Sequence, residues 1–484
     1  MPLILPGNVA SATASTTYDV DNSCRFNDDD DARISRTLGT ATDVDIWTMS
    51  CWVKRCTLGA NSSIFTSEGA GVSSTKGTIR FDSGNTLSGY LLYDGGWKSF
   101  TTNEVFRDVS AWYSIIIAVD TTQAVATNRM KVYVNGTQIT SFATYNAMDQ
   151  SADTWFNAAV EHQIGSLIDE TEDGDMYLSE FVFIDGTQYA ASDFGEFDSN
   201  TPTVFKPIDV SGLTFGTNGC YLDFKDSSNL GNDANGGTDW TVTNLAAADQ
   251  STDTPTNSFA TLNILDGTQG NSTFSEGNCK IAFSSGDYMW ARSTTGMSSG
   301  KWYAEFKNVT SQEHSYVAIC VDGADDTSTY IGGGGGAAAG VNDEFEWGYK
   351  TSSGGVWNNA SEASYGDTYT DGDIISVALD LDNNKLYFAK NGTWQDSGDP
   401  TSGATGTGAV SITAPASTST GFYFFAVVDG TSASAGGFEA NFGGCPAFTV
   451  SSGNADADGY GNFEYAVPSG YYALCTKNLG AYGG

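Results

Sequence analysis

The stretch WTMSCWVKR, residues 47–55, alternates between two kinds of side chain. Trp47, Met49, Cys51 and Val53 are apolar, whereas the positions between them are mostly polar. Since successive side chains of a strand point to opposite faces of a sheet, the pattern predicts a sandwich strand with one face on the core. Trp52, on the polar side, is expected to cover the outer face of that sheet.

Two Asn-Gly pairs predict tight hairpins. Asn135-Gly136 lies inside MKVYVNGTQITSF, and Asn391-Gly392 lies inside KLYFAKNGTWQ, each between segments typical of strands. Asn-Gly supplies the two positive φ values that a type I′ turn requires. Both halves of the chain are therefore expected to contain antiparallel β-structure.

Length and composition favour an all-β chain. The 484 residues accommodate two large β-sandwiches of roughly 200–250 residues each. Glycine accounts for 57 of the 484 residues, a larger share than the usual ~7%. The sequence shows no amphipathic helical pattern of any length. We predict two β-sandwiches in tandem.

The charge excludes some partners. With 21 basic and 58 acidic residues, the net charge is −37, which repels a phosphate backbone and an anionic membrane surface. Nucleic acid is therefore not an expected partner. Such a charge favours solubility and suits a salty medium, where screening weakens self-repulsion.

No membrane insertion or export signal is expected. The longest apolar runs, YSIIIAV and FYFFAVV, are shorter than the roughly 18 residues of a membrane span, so they are predicted to be buried strands. The N-terminal MPLILPGNVASATAS lacks a basic region, and Pro6-Gly7 interrupts it. Without an export signal, the eight cysteines, none in a CxxC pair, are expected to be reduced core residues.

The two halves of the chain contain related stretches. SCRFNDDDDARISRT (23–37) and CKIAFSSGDYMWARST (279–294) each suggest a strand, a short polar turn and a second strand. We interpret the four aspartates of the first stretch as a hairpin tip. The similarity favours two related sandwiches.

The predicted organisation has four parts. An N-terminal arm (1–16) precedes the first sandwich (17–225), and a polar linker (226–262) leads to the second (263–484). The linker is expected to pack on the domains, because it contains large apolar side chains for which a free linker has no use. These are Trp240, Leu245 and Phe259.

The first domain resembles the LamG-like branch of the concanavalin A-like jelly rolls. The matching pieces, in the order of that family, are YDVDNSCRFNDDDDARISRT, WTMSCWVKR, WYSIIIAVD, MKVYVNGTQI and MYLSEFVFIDGTQYAASDFGEFD. The sequence of these pieces is similar to that of proteins from marine tailed bacteriophages. The resemblance implies a jelly-roll β-sandwich.

The second domain resembles a SPRY-type sandwich, also of the concanavalin A-like class. The matching pieces are KWYAEFKNV, GDIISVALDLDNNKLYFAKNGTW, FEANFGGCPAF and VPSGYYAL, and the bridging DTPTNSFATLN is similar to a phrase of phage structural proteins with this pairing. Together the resemblances imply a virion surface protein that binds glycans or proteins.

The sequence does not predict an enzyme. Retaining glycosidases need two carboxylates about 5–5.5 Å apart, and the best local candidates are Glu344 and Glu346 in DEFEW, which would share one face of a strand. The E-x-D-x-x-E pattern of related glycosidases is absent. The two histidines, His162 and His314, lie near no nucleophile signature and are too few for a zinc site.

Calcium is the one cofactor for which the sequence offers ligands. Asp28 and Asp30 in DDDD, and Asp173 and Asp175 in ETEDGD, supply the oxygens that calcium prefers. The resemblance adds that LamG-like domains carry calcium in loops at one rim. The alternative is that both segments are solvated acidic turns.

Three tryptophans are candidates for sugar contact. Trp97, Trp357 and Trp394 lie in glycine-rich or polar stretches that are predicted to be loops, and aromatic faces stack on the apolar side of a sugar ring. The alternative for each is packing against a neighbouring loop or subunit. Trp47, Trp112 and Trp302 occupy strand patterns and are predicted to lie in the core.

We therefore expect a non-enzymatic virion protein that binds host surface glycans as a tail-fibre or spike component. It would reach the virion surface after assembly in the host cytoplasm, contact other virion proteins and form a homo-oligomer. The alternatives are a capsid decoration or head-fibre protein and, less favoured, a polysaccharide depolymerase. Heptads and β-helical repeats are absent, which favours a compact tip, adaptor or decoration subunit over a fibre shaft.

Overall fold

A computed structural model describes residues 18–68, 76–93, 96–168, 172–265, 272–284, 289–321, 344–359, 361–430 and 436–483. The N-terminal arm predicted at 1–16 lies outside these residues. The chain divides into two compact units, and the boundary between them falls between Thr256 and Asn257.

The first unit is built from short antiparallel strands. They are β1 (Ser23–Phe26), β2 (Arg33–Thr37), β3 (Ile46–Arg55), β4 (Ser62–Glu68), β5 (Lys76–Phe81), β6 (Thr86–Tyr93), β7 (Gly96–Val105), β8 (Trp112–Asp120), β9 (Met130–Val134), β10 (Thr137–Gln138), β11 (Phe142–Tyr145), β12 (Glu161–Ile164), β13 (Met176–Asp185), β14 (Gly195–Phe197), β15 (Phe205–Pro207), β16 (Cys220–Leu222), β17 (Thr241–Thr243) and β18 (Gln250–Ser251).

Two sheets form the sandwich of this unit. Sheet A has the order β10-β9-β8-β3-β13-β1-β18, with β16 also paired to β13, and sheet B has the order β11-β7-β6-β5-β4-β12-β2-β17. Apolar side chains from both sheets form one buried core. The predicted all-β class is confirmed.

Strand β3 shows how the alternating pattern folds. Trp47, Met49 and Cys51 are fully buried in the core between the sheets, as predicted. Trp52 points to the outer face of sheet A and stacks on Phe205, with ring centroids 6.0 Å apart. The segment that follows β13 therefore forms an apolar layer over sheet A, and both faces of β3 are buried.

Both predicted Asn-Gly hairpins are present. Asn135 and Gly136 have φ values of 48° and 74° between the paired strands β9 and β10. Asn391 and Gly392 have φ values of 48° and 77°. Local chemistry alone therefore decided these two turns.

The hairpin predicted around the four aspartates is wrong. Strand β1 belongs to sheet A and pairs with β13 and β18, whereas β2 belongs to sheet B and pairs with β12 and β17. Because both edges of each strand are already occupied, β1 and β2 have no free edge for one another. Asp28–Asp30 form a single 3₁₀ turn that carries the chain from one sheet to the other.

The residues predicted to be a linker at 226–262 belong largely to the first sandwich. Strands β17 and β18 extend sheets B and A, respectively, and Trp240 lies in the core with 2% of its surface exposed. Leu245 packs against the same core. The polar composition hid these strands because their pairing uses backbone groups, which every sequence supplies.

The second unit is another sandwich. Its strands are β19 (Ser272–Ser275), β20 (Lys280–Phe283), β21 (Met289–Arg292), β22 (Lys301–Thr310), β23 (Ser315–Val321), β24 (Trp347–Lys350), β25 (Gly355–Asn358), β26 (Ser361–Ser364), β27 (Ile374–Asp380), β28 (Lys385–Lys390), β29 (Thr393–Trp394), β30 (Val410–Ser411), β31 (Tyr423–Asp429), β32 (Gly437–Asn441) and β33 (Tyr472–Ala473), followed by helix α1 (Thr476–Tyr482).

Its strands also form two sheets around one core. Sheet C has the order β19-β20-β32-β22-β27-β28-β29, with β30 on β28 and β33 on β22, and sheet D has the order β21-β31-β23-β24-β25-β26. Strands β20 and β21 lie in different sheets, so the related stretches of the two halves both connect opposite sheets. Within the described ranges, no helix has the length and apolar character needed to cross a bilayer.

Candidate functional site

Trp97 lies on β7 and is an exposed aromatic side chain of sheet B, and since Trp357 and Trp394 also lie on strands, the prediction that the three tryptophans sit in loops is wrong. Trp97 has 56% of its surface exposed, and among the large hydrophobic residues of the described ranges only Val125 is more exposed. Its ring lies beside that of Tyr90 on β6, with centroids 5.8 Å apart at an interplanar angle of 53°. Two aromatic rings thus stand side by side on one sheet.

The strand alternation explains why these rings point outward. Leu91 and Phe100 of the two strands face the core, so Tyr90 points to the opposite face of sheet B. Its cross-strand neighbours there are short, Thr78 on one side and Ser99 on the other. Tyr90 itself is half-buried.

Charged groups border the two rings. The Arg80 guanidinium lies 5.3 Å from the centre of the Tyr90 ring and forms an ion pair with Glu172. Glu172 Oε1 also accepts a hydrogen bond of 2.9 Å from Asn61 Nδ2. We call Arg80, Tyr90, Trp97 and Glu172 the aromatic platform. It combines ring faces with hydrogen-bonding groups at one edge, the combination that suits a sugar ring.

The other two candidate tryptophans are used in packing. Trp357 lies on β25, half-buried against the outer face of sheet D, with Lys350 Nζ 5.2 Å from its ring centre. Trp394 lies on β29 and meets Tyr387 edge-on, in the cluster that covers the outer face of sheet C. Neither ring presents a free face comparable to that of Trp97.

The aspartates predicted as metal ligands come from distant segments that the fold brings close. Asp28 is exposed, whereas Asp175 has 4% of its surface exposed and feels the negative charge of Asp28. Asp30 accepts a hydrogen bond from Asn27 Nδ2 at 3.1 Å, and the 3₁₀ turn itself is closed by the backbone hydrogen bond from Asp31 N to Asp28 O. Asp173 also precedes β13, and its negative charge acts on Asp28.

These aspartates do not form a complete calcium site in the described residues. Asp175 Oδ2 accepts a hydrogen bond from Thr57 Oγ1, while Oδ1 is buried and makes no hydrogen bond. No group of three Asp, Glu, His or Cys side chains in the described ranges converges as a metal site, whereas calcium takes about 6–8 oxygen ligands. Burial raises the pKa of Asp175 to about 7, so this carboxyl group holds a proton in mildly acidic solution.

Chelation tests the interpretation of this acidic region. We expect a melting scan in excess EDTA to give the same transition temperature as one in millimolar calcium, because no three Asp, Glu, His or Cys side chains of the described residues converge as a metal site. A higher transition temperature in calcium, saturable and reversed by EDTA, would show that the chain binds calcium and would contradict this expectation.

The two carboxylates considered for catalysis differ in burial. Glu344 is exposed in a turn, and Glu346, before β24, has 1% of its surface exposed. Asn358 Nδ2 donates hydrogen bonds to the backbone oxygens of both residues. The prediction that both lie on one face of a strand is therefore wrong, since the strand begins only at Trp347.

Sequence reasoning did not single out Tyr90 and Arg80. Both occupy outward positions of strands whose alternate residues, Ile79 and Leu91, face the core. That alternation was a usable signal, because an arginine and a tyrosine on the solvent side of neighbouring strands mark a surface with hydrogen-bonding capacity. Their position next to Trp97 depends on the pairing register, which the sequence does not state.

Two family models match separate parts of the chain. Residues 26–177 match the model described as the concanavalin A-like lectin/glucanases superfamily, and residues 314–420 match the SPRY domain model. No curated protein matches the chain significantly.

Three solved structures illustrate the similarity of fold. The human HERC1 SPRY domain is 16% identical, with 39% of this chain and 99% of that chain covered and a TM-score of 0.29. A putative carbohydrate binding protein from Bacteroides ovatus is 15% identical, with 47% and 59% covered and a TM-score of 0.34. A heptameric SAP-like pentraxin from Limulus polyphemus is 15% identical, with 36% and 81% covered and a TM-score of 0.26.

Proposed function

Because the chain carries a LamG-like, concanavalin A-like domain followed by a SPRY domain, we propose that it is a non-enzymatic glycan-binding protein. We further propose that it belongs to a bacteriophage virion, as a tail-fibre or spike component on the particle surface. Its partners there would be other virion proteins, further copies of itself and the glycans of the host surface.

The observation that carries glycan binding is the exposed Trp97–Tyr90 pair. More than half of the Trp97 side chain is exposed, whereas Trp357 and Trp394 are half-buried, so the Trp97 ring is the more accessible to a ligand. Beside it, Arg80 and Glu172 provide donors and acceptors for hydroxyl groups. A ring that stacks one face of a sugar next to polar groups that bind its hydroxyls is the chemistry of sugar recognition.

The charge of the chain narrows the class of glycan. A net charge of −37 repels polyanionic polysaccharides over about one Debye length. The cation on the platform, Arg80, is already paired with Glu172. The proposed ligands are therefore uncharged surface glycans. The placement on a virion is supported by the sequence resemblance to phage proteins.

Replacing Trp97 by alanine tests the platform. We expect Trp97→Ala to weaken binding to the preferred glycan of an array by about 2 kcal/mol, roughly thirtyfold, because a central stacked tryptophan is lost. The free energy of unfolding should change by less than about 0.5 kcal/mol, since the side chain is exposed. Titration calorimetry and a urea melt measure the two quantities.

Val125→Ala is the matched control. Val125 has 57% of its surface exposed and lies in the same unit away from the platform, so its loss should leave binding unchanged. Trp97→Phe, which keeps an aromatic ring, should retain more affinity than the alanine variant. Equal affinity of the wild type and Trp97→Ala would remove the platform from the proposal.

The biological part of the proposal is tested on particles and host cells. Purified protein should compete with adsorption of the phage, and the Trp97→Ala variant should compete poorly. Antibody labelling should place the protein on the tail; labelling of the head would indicate a decoration protein instead. Release of reducing ends from host polysaccharide would contradict the non-enzymatic assignment.

A further inference from the structure

A cavity of about 440 Å³ lies in the first unit, against the outer face of sheet A. This size is within the range of roughly 300–1,000 Å³ typical of small-molecule sites. Its walls come from the start of the described chain, the segment before β16, and the turns after β16. Its lining includes Tyr18, Asp209, Phe215, Tyr221, Asp223 and Asn235.

The wall of the cavity combines aromatic rings with short polar groups. Tyr18, Phe215 and Tyr221 contribute ring surface, whereas Asp223 and Asn235 contribute hydrogen-bonding groups. Tyr221 is positioned by backbone pairing of β16 with β13, opposite Val182. Rings beside carboxylate and amide groups match the two-sided chemistry of a sugar, which has an apolar face and a rim of hydroxyls.

A buried acid lies behind this wall. Tyr221 Oη donates a hydrogen bond of 2.7 Å to Glu180 Oε2, and Tyr18 Oη donates one of 3.0 Å to the same atom. The two phenol oxygens are themselves 3.0 Å apart. Glu180 therefore fixes the positions of both phenols at the cavity wall, as a positioning residue.

The backbone is distorted at the acid. The register of β13 against β3 shifts between Ser179 and Val182, so Glu180 and Phe181 share the place opposite Cys51. Phe181 enters the core, and Glu180 turns away from it with a φ of 51°. A left-handed conformation is unfavourable for a residue with a Cβ, and such strain in a strand interior accumulates where a bulge directs a side chain toward a site.

Burial also sets the protonation of the groups at the cavity wall. It raises the pKa of Glu180 to about 7, and the nearby charge of Asp223 acts in the same direction. Burial also raises the pKa of Tyr221, so both phenols stay protonated near neutral pH. The wall thus presents hydroxyl groups in a hydrogen-bonded set whose geometry exists before a ligand enters.

We propose that this cavity is a second binding site, distinct from the aromatic platform, and that it takes one uncharged sugar unit. The rings of Tyr18, Phe215 and Tyr221 contact the apolar face of the sugar, and Asp223 and Asn235 bind its hydroxyls. Asp209 and Asp223 in the lining oppose an acidic sugar, and Lys225, which also lines the cavity, forms an ion pair with Asp21 at 3.3 Å. The inference goes beyond the proposed function, because none of these residues belongs to the platform.

The test uses the full chain and four probes: glucose, galactose, N-acetylglucosamine and glucuronate. Titration calorimetry and ligand-observed NMR should detect at least one neutral sugar and should not detect glucuronate. Asp223→Ala should weaken the bound neutral sugar by roughly tenfold or more, because a charged acceptor of its hydroxyls is lost. Tyr221→Phe, which removes only the hydroxyl group, should weaken it by roughly threefold to tenfold.

The variants distinguish this site from both a structural role and the platform. The hydrogen bond that Asp223 accepts from the Lys225 backbone N–H is local, so Asp223→Ala should melt close to the wild type. Trp97→Ala should bind the monosaccharide normally. Absence of binding by every neutral probe, or binding that is unchanged in both cavity variants, would overturn the inference. Loss of monosaccharide binding in Trp97→Ala alone would assign it to the platform and overturn the inference as well.

Discussion

Lys54→Met is expected to destabilise the first unit by about 3–5 kcal/mol, because breaking a buried ion pair leaves an uncompensated charge. Lys54 Nζ lies 2.7 Å from Asp253 Oδ2, and the two side chains are 1% and 2% exposed. Trp112 Nε1 also donates a hydrogen bond to Asp253 Oδ1 at 3.0 Å. This bond still stabilises the Asp253 carboxylate in the variant, so the loss is expected near the lower end of the range. Urea unfolding followed by fluorescence measures the change.

Lys98→Met is the matched control for this prediction. Lys98 forms an ion pair of 3.2 Å with Asp149 in the same unit, but the two side chains are 24% and 59% exposed. Exposed pairs contribute about 0–1 kcal/mol, so this substitution should have little effect. Adding Asp253→Asn to Lys54→Met should recover part of the lost stability. A change below about 1 kcal/mol for Lys54→Met would show that the segment around Asp253 does not hold the sandwich together.

Asp175→Asn is expected to stabilise the first unit at pH 8 and to leave it unchanged near pH 4. The pKa of Asp175 rises from an ordinary 3.8 to about 7 in the folded chain. Between these values the folded state holds a proton that the unfolded state has lost, so stability is full below about pH 4 and falls as pH rises through 7. The free energy of unfolding that is lost over this pH range is roughly 4 kcal/mol, from about 1.4 kcal/mol per pKa unit. Asparagine cannot ionise, so the variant does not lose it.

Chemical denaturation at several pH values measures this effect. The pH dependence of the variant should be reduced but not abolished, because burial likewise raises the pKa of Glu180 to about 7. If Asp175→Asn instead lowers stability at pH 8, and calcium raises only the wild type, the carboxylate is a metal ligand and the buried-acid interpretation fails.

Asp185→Asn is a control of opposite sign. Burial acts to raise the pKa of Asp185, but hydrogen bonds from Thr42, Asn157 and Asn218 outweigh burial and lower that pKa. The stability that depends on this carboxylate is present above its ordinary pKa and lost as pH falls through the lower folded value. Asp185→Asn should therefore destabilise the unit at pH 8.

The candidate site was predictable only in part. Trp97 was identified from its glycine-rich surroundings and is the exposed ring, but the same reasoning selected Trp357 and Trp394. Those two rings are covered by Lys350 and by the cluster around Tyr387. Composition of the flanking residues reports that a turn is near. It does not report which distant segment packs over the ring.

The sequence by itself determined the all-β class, the order of a LamG-like and a SPRY domain, and the Asn-Gly turns. The all-β class and the turns depend on side-chain alternation and on the backbone preferences of neighbouring residues, which are local properties, whereas the order of the two domains came from the resemblance to known families. The tertiary structure decided that Asp28–Asp30 connect opposite sheets, that residues 241–243 and 250–251 extend the sandwich, and that Glu180 turns from the core beneath two phenols. Each of these depends on which strand edges are occupied and on contacts between segments far apart in the chain, and no local pattern specifies such pairings.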